Sequence, residues 1–423
     1  MKNLIVKPSR LSGSIAVPGS KSHTIRAIAA ALMAEGISEI RAPLVSADTL
    51  STVHAAEALG AVTEMAHGMW RITGTGGKLP GGELTLDLGN SGTGIKLLSA
   101  MAALGAGVYT FDGDESLRSR PMKPLLEALQ ALGCRVSSQN GCCPFTVQGP
   151  LKGGTIQGMI AESSQYLSAL LFAAPLAASD TEITMALLNE KPYVGITLDW
   201  LTFLGIKVDG SADYMSFHVP GRQKLMGFSR TIPADFSSAA FPLGAAAITG
   251  SSLTLLNLDF SDSQGDKAVF EIARQMGVKV QTDGFTTTVA GAGLHGGTYD
   301  LNATPDALPL LAVMAAKAEG RTRLVNVAQA RIKETDRIHC LFCELSKMGV
   351  KISELPDGLE IEGGELQGAE VESYGDHRLA MALAVAGLAA QGETMINGAD
   401  CAAVTYPEFV SDFQKIGADM TWA

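Results

Sequence analysis

An internal repeat is the feature that most constrains how this chain can fold. Six times along its 423 residues an apolar segment ends in a Leu-, Met- or Ile-Gly pair, and in five copies a short Val- or Ile-containing tail follows. Glycine between a helix and a strand is typical of a helix C-terminus. The six glycines, roughly 70 residues apart, are Gly60, Gly133, Gly205, Gly277, Gly349 and Gly417.

A second series of short Ala- and Leu-rich segments runs in step with the first. These segments are 21–35, 90–104, 163–177, 237–249, 306–318 and 376–390. Each repeat therefore predicts two helices and several strands. The first helix is apolar on nearly every face and is predicted to be buried, whereas the second, such as 120–133, is amphipathic and predicted to lie outside. Segments 84–88 and 252–258 alternate as half-buried strands do.

Six copies of one α/β unit can form one closed ring or two lobes of three. Three copies give a lobe of ordinary domain size, and a break near 230–234 divides the chain evenly. We therefore predict two similar lobes with a cleft between them. Residues 1–19 with 234–423 form lobe I, and residues 20–233 form lobe II.

Composition excludes several classes of partner. The formal net charge is −11, which argues against general binding to nucleic acid or to anionic membranes. The longest apolar run, 379–390, is too short to span a bilayer, and the opening segment does not resemble a signal peptide. Six cysteines in a long chain do not indicate a disulfide framework. We expect a cytoplasmic protein.

Polar residues concentrate where the buried helices begin. Helix N-termini carry unpaired N–H groups and partial positive charge, so they bind anions. Capping of the helix is the competing interpretation for each Ser, Thr, Asn or Asp. Cations at such positions oppose the helix dipole and favour an anionic ligand. These cations, at the helix starts or just before the outer helices, are Lys21, Arg26, Arg120, Lys333, Arg337 and Arg378.

Three motifs resemble known phosphate-binding or metal-binding motifs but lack essential residues. Segment 89–94 (GNSGTG) resembles a phosphate loop but lacks the Gly-Lys-Ser/Thr ending, and 74–78 (GTGGK) fails the same test. Cys340 and Cys343 form one isolated CxxC in a predicted outer helix, whereas a zinc site needs four ligands. We predict no metal site.

Seven motifs, each on a different repeat or its connection, resemble the 5-enolpyruvylshikimate-3-phosphate synthase family. They are PGSKSHTIRA (18–27), GNSGT (89–93), SRPMKPLLEAL (119–129), SSQYLSALL (163–171), KETDR (333–337), GDHRLAM (375–381) and AAVTYPEF (402–409). The resemblance implies two lobes, each of three βαβαββ units with buried parallel helices. It implies enolpyruvyl transfer from phosphoenolpyruvate to the 5-hydroxyl of shikimate 3-phosphate. It implies no cofactor, and a monomer suffices.

The resemblance also implies roles for individual residues. Asp306 takes the hydroxyl proton, Glu334 transfers the proton at the methylene carbon, and Lys21 stabilises developing charge between the substrates. For shikimate 3-phosphate the implied ligands are Lys21, Ser22, Arg26, Ser163, Ser164, Gln165, Tyr193, Asp306, Gln329 and Lys333. For phosphoenolpyruvate they are Lys21, Gly92, Arg120, Gln165, Arg337 and Arg378, with His377 beside the last. From the residues alone, Asp306 could simply cap a helix and Glu334 could pair with a surface cation.

Four positions depart from the family's common pattern. Glu190 stands where Ser commonly helps to bind the shikimate phosphate, and a carboxylate there would repel the phosphate unless it turns away. Val404 replaces a common Lys, Gln329 a common Asn, and Lys96 a common Arg.

Two other functions remain open. The related transferase that acts on UDP-N-acetylglucosamine has Lys-Asn in its opening motif and a reactive Cys in its active loop. This chain has Lys21-Ser22, and residues 111–124 contain no Cys. A non-catalytic relative that binds phosphorylated ligands is the second alternative, which Glu190 and Val404 favour and the retained Asp306 disfavours.

Overall fold

Residues 2–423 are described by a computed structural model. The α-helices are α1 (Lys21–Met33), α2 (Ala47–Ala58), α3 (Gly92–Ala102), α4 (Glu115–Ser119), α5 (Lys123–Ala131), α6 (Ser164–Ala173), α7 (Lys191–Phe203), α8 (Phe236–Thr249), α9 (Ala268–Gln275), α10 (Leu308–Ala316), α11 (Arg337–Lys347), α12 (His377–Gly387) and α13 (Phe409–Lys415).

The strands are mostly four or five residues long. They are β1 (Leu4–Lys7), β2 (Ser12–Ala16), β3 (Ile37–Arg41), β4 (Val62–Ala66), β5 (Met69–Thr73), β6 (Glu83–Asp87), β7 (Val108–Asp112), β8 (Arg135–Ser138), β9 (Phe145–Gln148), β10 (Gly154–Ala161), β11 (Thr181–Leu188), β12 (Asp209–Gly210), β13 (Ser216–Val219), β14 (Ser229–Thr231), β15 (Ser252–Leu256), β16 (Lys279–Asp283), β17 (Thr286–Ala290), β18 (Thr298–Asp300), β19 (Arg321–Val325), β20 (Lys351–Leu355), β21 (Gly358–Glu362), β22 (Glu370–Glu372), β23 (Thr394–Asn397) and β24 (Asp419–Trp422).

Each repeat forms one four-stranded sheet, and the strands have the same arrangement in all six. In the sheet ordered β6-β7-β9-β8, strands β6 and β7 are parallel and joined through α3, while β8 and β9 form an antiparallel hairpin that follows α5. The parallel register pairs Glu83 with Val108 and Asp87 with Asp112. A parallel pair needs a crossover, which the helix supplies. The predicted βαβαββ unit is confirmed: three sheets come from one continuous stretch of chain, and in the other three a distant strand, β1, β2 or β14, completes the same arrangement.

The chain divides into two compact units. Unit 1 contains Met1–Pro18 and Pro233–Ala423, and unit 2 contains Gly19–Ile232. The predicted lobe boundaries differ from these by one residue. In unit 1, β1 from the N-terminus pairs with β23 and β24 and so completes the sheet of the last repeat. In unit 2, β14 at the end of the unit pairs with β3 and so completes the sheet of the first repeat.

The inner helices of each unit are buried, as the sequence predicts. Every residue of α10 and of α12 is buried, and α8, α10 and α12 pack against one another in unit 1. In unit 2, α3 packs against both α1 and α6. The amphipathic helices α5 and α9 bury one face only. Small apolar side chains let the inner helices approach closely, and each buried Leu or Val stabilises the fold by about 1.5–3 kcal/mol.

The helix predicted to open at residue 306 begins differently. Pro305–Ala307 forms a single 3-10 turn, and α10 follows from Leu308. Two prolines, Pro305 and Pro309, lie in the first turns of these elements, where a missing N–H leaves no hydrogen bond unmade. No helix within residues 2–423 combines the length and apolar character that crossing a membrane would require.

Candidate active site

Three helix starts of unit 1 meet at one arginine. Arg337, the first residue of α11, has a fully buried side chain. Its Nε donates to Asp376 Oδ2 at 2.7 Å, and its Nη2 donates to Asp376 Oδ1 at 3.2 Å. Nη1 donates to Asp306 Oδ1 at 2.9 Å, and Nη2 also donates to Glu334 Oε2 at 2.6 Å. The planar fork of an arginine suits such paired contacts, so Arg337 holds both proposed acid/base carboxylates in place.

A second arginine completes the cluster. Arg378, in the first turn of α12, places Nη2 at 2.8 Å from Asp306 Oδ2, so each oxygen of that carboxylate contacts a guanidinium. Asp376 is the N-cap of α12 and accepts from the backbone N–H of Arg378 at 2.8 Å. Of the two interpretations of polar residues at helix starts, capping and anion binding, capping is thus correct for Asp376. Asp306 instead uses its side chain for the arginines, and no side-chain cap is present at the start of α10.

The charges in this cluster shift the pKa values of its members. Burial by itself would raise the pKa of Asp306, but Arg378, Lys333 and Arg337 outweigh burial and hold that pKa well below its usual range. Burial by itself would lower the pKa of Arg337, yet its carboxylate partners raise it well above the ordinary value. Asp306 keeps 20% of its side chain exposed. A ligand can therefore reach a carboxylate that is fully ionised at neutral pH.

The remaining predicted residues of unit 1 lie around this cluster. Gln329 is buried in the 3-10 helix Ala328–Ile332 and donates to the carbonyl of Asn302 at 3.4 Å. Lys333 follows that helix and is close enough to lower the pKa of Asp306. Glu334 keeps 13% of its side chain exposed, so its pairing with Arg337 is not the solvated surface pair of the alternative interpretation. His377 is buried as the first residue of α12.

In unit 2, the start of α1 supplies two cations with different surroundings. Lys21, the first residue of α1, places Nζ at 3.2 Å from Asp48 Oδ2, and 15% of its side chain is exposed. Arg26 is buried one turn further along. Its guanidinium donates to the carbonyls of Ser22 and Tyr193, at 3.0 and 3.1 Å. Burial lowers the pKa of Arg26 to about 10, so it remains cationic at neutral pH.

The glycine-rich turn before α3 lies beside Arg120. Nη2 of Arg120 donates to Asn90 Oδ1 at 2.6 Å and to Ser116 Oγ at 3.1 Å, and Nη1 donates to the Asn90 carbonyl at 3.3 Å. Gly92, the first residue of α3, has no side chain at this point, and a Cβ there would lie 2.7 Å from Arg120 Nη1. The glycine therefore leaves the room that the guanidinium occupies.

Gln165 joins two inner helices of unit 2. Its amide donates to Thr93 Oγ1 at 3.0 Å, and its Oε1 accepts from Lys96 Nζ at 2.9 Å. Lys96 is buried and also donates to the Gly92 carbonyl at 3.2 Å. The starts of α3 and α6 are thus fixed to each other by side chains that can also contact a ligand.

The two predicted serines at the start of α6 already contact a carboxylate. Ser163 caps α6 by accepting from the N–H of Gln165 at 3.4 Å. One oxygen of Glu190 accepts hydrogen bonds from Ser163 Oγ, Ser164 N and Ser164 Oγ, at 3.3, 3.2 and 3.1 Å. Glu190 is buried. Its side chain therefore turns towards the predicted phosphate ligands and not away from them, which is the arrangement that would repel the substrate phosphate.

Sequence reasoning missed two partners of the predicted residues. Asp376 is part of the motif GDHRLAM (375–381), but its pairing with Arg337 spans two repeats and is not visible in the sequence. Asp48, in the first turn of α2, gives no local signal of its pairing with Lys21. Asp376 had one usable signal, because it immediately precedes His377 and Arg378 in a quoted motif.

The isolated CxxC lies within α11, as predicted. Burial raises the pKa of the Cys340 thiol to about 11, so this thiol is protonated at neutral pH. Among residues 2–423, no three His, Cys, Asp or Glu side chains are grouped so that they could hold a metal ion.

The chemistry open to each unit follows from these contacts. In unit 1, two arginines can bind a phosphate or carboxylate of a ligand in place of part of their carboxylate contacts, beside two carboxylates suited to proton transfer. In unit 2, hydroxyls, backbone N–H groups and cations at helix starts suit phosphate binding. Both sets favour small polyanionic ligands.

Comparisons with known proteins agree with this chemistry. The sequence model of the EPSP synthase family, 3-phosphoshikimate 1-carboxyvinyltransferase, matches residues 5–413. The chain is 47% identical over 420 residues to the 3-phosphoshikimate 1-carboxyvinyltransferase of Acetivibrio thermocellus, and the match covers 99% of each chain. It is 45% identical over 416 residues to the protein of the same name from Ruminiclostridium cellulolyticum, with 98% of each covered. A solved EPSP synthase from Acinetobacter baumannii superposes with a TM-score of 0.82 at 29% identity, and all of both chains is covered.

Proposed function

Because this chain belongs to the EPSP synthase family, we propose that it transfers the enolpyruvyl group of phosphoenolpyruvate to the 5-hydroxyl of shikimate 3-phosphate. Inorganic phosphate is released, and the product serves aromatic amino-acid biosynthesis. The observation that carries the proposal is that Asp306 and Glu334 share the buried guanidinium of Arg337. Two carboxylates held beside an anion-binding arginine suit a reaction that moves protons on a polyanionic substrate.

Binding of the two substrates is assigned to helix starts of both units. Arginines grip phosphate and carboxylate groups because their planar forks make two contacts at once. The proposed ligands of shikimate 3-phosphate are Lys21, Ser22, Arg26, Ser163, Ser164, Gln165, Tyr193, Asp306, Gln329 and Lys333. The proposed ligands of phosphoenolpyruvate are Lys21, Gly92, Arg120, Gln165, Arg337 and Arg378. All of them come from one chain, so a monomer suffices, and the cytoplasmic location stays a prediction.

The reaction requires addition followed by elimination. The 5-hydroxyl oxygen of shikimate 3-phosphate attacks C2 of phosphoenolpyruvate, and Asp306 accepts the hydroxyl proton. At the same time Glu334 delivers a proton to the methylene carbon. In the tetrahedral intermediate the C2–O bond to phosphate then breaks, phosphate departs with the bonding electrons and takes the proton held by Asp306, and the methyl group returns a proton to Glu334. Lys21 stabilises negative charge that develops between the substrates.

Substrate binding itself adjusts the proposed base. In the described structure Arg337 and Arg378 keep the pKa of Asp306 well below its usual range, which makes Asp306 a weak proton acceptor. When the anionic groups of phosphoenolpyruvate bind these arginines, their charge offsets the guanidinium charge, and the pKa of Asp306 rises. The base thus gains strength when its substrate is present.

Phosphate release tests the proposal. The protein is assayed with phosphoenolpyruvate and either shikimate 3-phosphate or UDP-N-acetylglucosamine, beside Asp306→Ala and the control Asp283→Ala. Asp283 is an exposed carboxylate at the end of β16 in the same unit. We expect release only with shikimate 3-phosphate, a loss of roughly 10²–10⁴-fold in Asp306→Ala, and no change in Asp283→Ala.

Two results would overturn the proposal. Release with UDP-N-acetylglucosamine alone would identify the related transferase. No release with either acceptor, from protein with an intact thermal transition, would identify a binding protein without turnover.

A further inference from the structure

The side chain of Glu190 occupies hydrogen-bond donors that a ligand anion would use. Its Oε2 accepts from two hydroxyls and one backbone N–H, all belonging to Ser163 and Ser164 at the N-terminus of α6. Helix α6 spans ten residues, so its N-terminus carries the partial positive charge that favours an anion. A carboxylate oxygen at this position makes the contacts that a phosphate oxygen would make.

The backbone holds Glu190 in place for this contact. Glu190 is the N-cap of α7 and has φ 57° and ψ 38°, a left-handed conformation that few residues other than glycine adopt. Only 1% of the residue is exposed. Lys191 and Pro192 follow directly, so the start of α7 fixes the direction from which the side chain approaches Ser164. Strained conformations of this kind concentrate at functional sites.

We propose that Glu190 is an internal competitor for the 3-phosphate of shikimate 3-phosphate, and that its carboxylate must leave Ser163 and Ser164 before the phosphate binds. The inference rests on the proposed function, which assigns these two serines to that phosphate. Glu190 is a specificity-determining residue in this scheme, because it weakens binding of the phosphorylated ligand and leaves the rest of the ring's contacts unchanged.

The competition follows from donors and charge. The Ser164 N–H and each serine hydroxyl have one hydrogen to donate, so carboxylate and phosphate cannot both receive them. Two anions within one hydrogen-bonded site also repel each other. Hydrogen bonds to a charged acceptor are stronger than neutral ones, so the protein loses favourable contacts when Glu190 moves out. Shikimate, which lacks the phosphate, requires no such movement.

Direct binding measurements separate this role from a purely structural one. Calorimetric dissociation constants for shikimate 3-phosphate and for shikimate are compared in wild type, Glu190→Ser and Glu190→Gln. Glu190→Gln keeps the size of the side chain, should the smaller variant fold poorly. The control is Glu162→Gln, which removes one charge from an exposed residue next to Ser163. We expect shikimate 3-phosphate to bind about tenfold more tightly to the Glu190 variants, with shikimate unchanged and the control equal to wild type.

The outcomes distinguish this inference from the proposed function. If wild type turns over but neither Glu190 variant binds shikimate 3-phosphate more tightly, the inference is overturned and the function stands. Equal gains for shikimate and its phosphate would also overturn it, because the effect would not depend on the phosphate. If neither wild type nor the variants bind or turn over shikimate 3-phosphate, the proposed function fails, and the inference fails with it.

Discussion

The two units build their candidate sites from the same repeat but treat buried charge differently. In unit 1, Arg337 and Arg378 pair with carboxylates, and the Arg337 side chain is fully buried. In unit 2, the guanidinium groups of Arg26 and Arg120 donate to carbonyls, hydroxyls and an amide oxygen. The helix starts therefore do not dictate the electrostatics. The side chains placed there decide whether a site is an ion-pair network or a set of neutral contacts.

The different partners of the buried cations predict different effects of mutation on stability and on ligand binding. A buried ion pair contributes little relative to an apolar pair, but removing one partner leaves a buried charge and is strongly destabilising. A hydrogen bond from a cation to a neutral acceptor is worth about 1.5–3 kcal/mol, which is less than the roughly 3–5 kcal/mol lost when one partner of a buried ion pair is removed. We therefore expect changes to charged partners in unit 1 to affect folding, and changes around the glycine-rich turn of unit 2 to affect binding.

The largest effect should come from Asp376, the carboxylate with two contacts to Arg337. Asp376→Asn keeps the size of the side chain and its oxygen for capping α12, but removes the charge that faces a fully buried guanidinium. We expect a loss of about 3 kcal/mol in the free energy of unfolding, measured by urea denaturation. The matched control is Asp336→Asn, since Asp336 caps α11, pairs with Arg331 and is 38% exposed. A loss no larger than in this control would break the comparison.

Asp306→Asn should be the next largest change, and its effect should depend on pH. The carboxylate receives one contact from each arginine, so we expect its removal to cost on the order of 2 kcal/mol at pH 7. The folded pKa of Asp306 lies below its usual range. The stabilisation is therefore fully present above the unfolded pKa of about 3.9 and is lost as pH falls through the folded pKa.

Thermal unfolding between pH 7 and pH 3 checks this prediction. The difference between wild type and Asp306→Asn should be constant down to about pH 5 and should shrink below about pH 4. A difference that stays constant to pH 3 would mean that the arginines do not hold the carboxylate in its ionised form.

Gly92→Ala tests the opposite side of the comparison, in unit 2. The added methyl would lie 2.7 Å from Arg120 Nη1, so the guanidinium must move from the position proposed to bind phosphoenolpyruvate. We expect about a tenfold rise in KM for phosphoenolpyruvate, equivalent to about 1.4 kcal/mol, and a stability change within about 0.5 kcal/mol. In the control Gly81→Ala the methyl meets nothing within 4 Å. Equal kinetics in the two variants would contradict the assignment of Arg120.

The architecture could be predicted from the sequence because its signals are local. The repeated glycines indicate where helices end. The absence of charged residues from segments such as Leu308–Ala316 indicates which helices are buried. Burial of these helices follows from their composition alone. The 3-10 turn at Pro305–Ala307 was not predicted. Proline is common in the first turn of an α-helix, so Pro305 gave no sign that a 3-10 turn comes first.

The site could be predicted only as a set of residues, and not as a set of contacts. Asp376 and Arg337 are 39 residues apart, and Arg26 and Thr197 are 171 apart. No local pattern reports such pairs. The orientation of Glu190 depends on the left-handed backbone at the start of α7, which the sequence at that position does not indicate. The family resemblance therefore identified the site residues, but their hydrogen-bond and ion-pair partners could be found only from the structure.

The smallest effect should come from Asp48, the carboxylate that pairs with Lys21 in unit 2. Asp48→Asn leaves an amide oxygen that can still accept from Lys21, whose side chain is 15% exposed, whereas the Arg337 side chain in Asp376→Asn has no exposure. We expect a loss of about 1 kcal/mol in the free energy of unfolding, the usual size for one hydrogen bond, about a third of the loss in Asp376→Asn. The control is Glu127→Gln, because Glu127 pairs with Lys123 on the surface with both side chains more than half exposed. If Asp48→Asn destabilised the protein as much as Asp376→Asn does, unit 2 would also depend on a buried ion pair. The two units would then differ only in where their paired carboxylates lie, and not in how they stabilise buried charge.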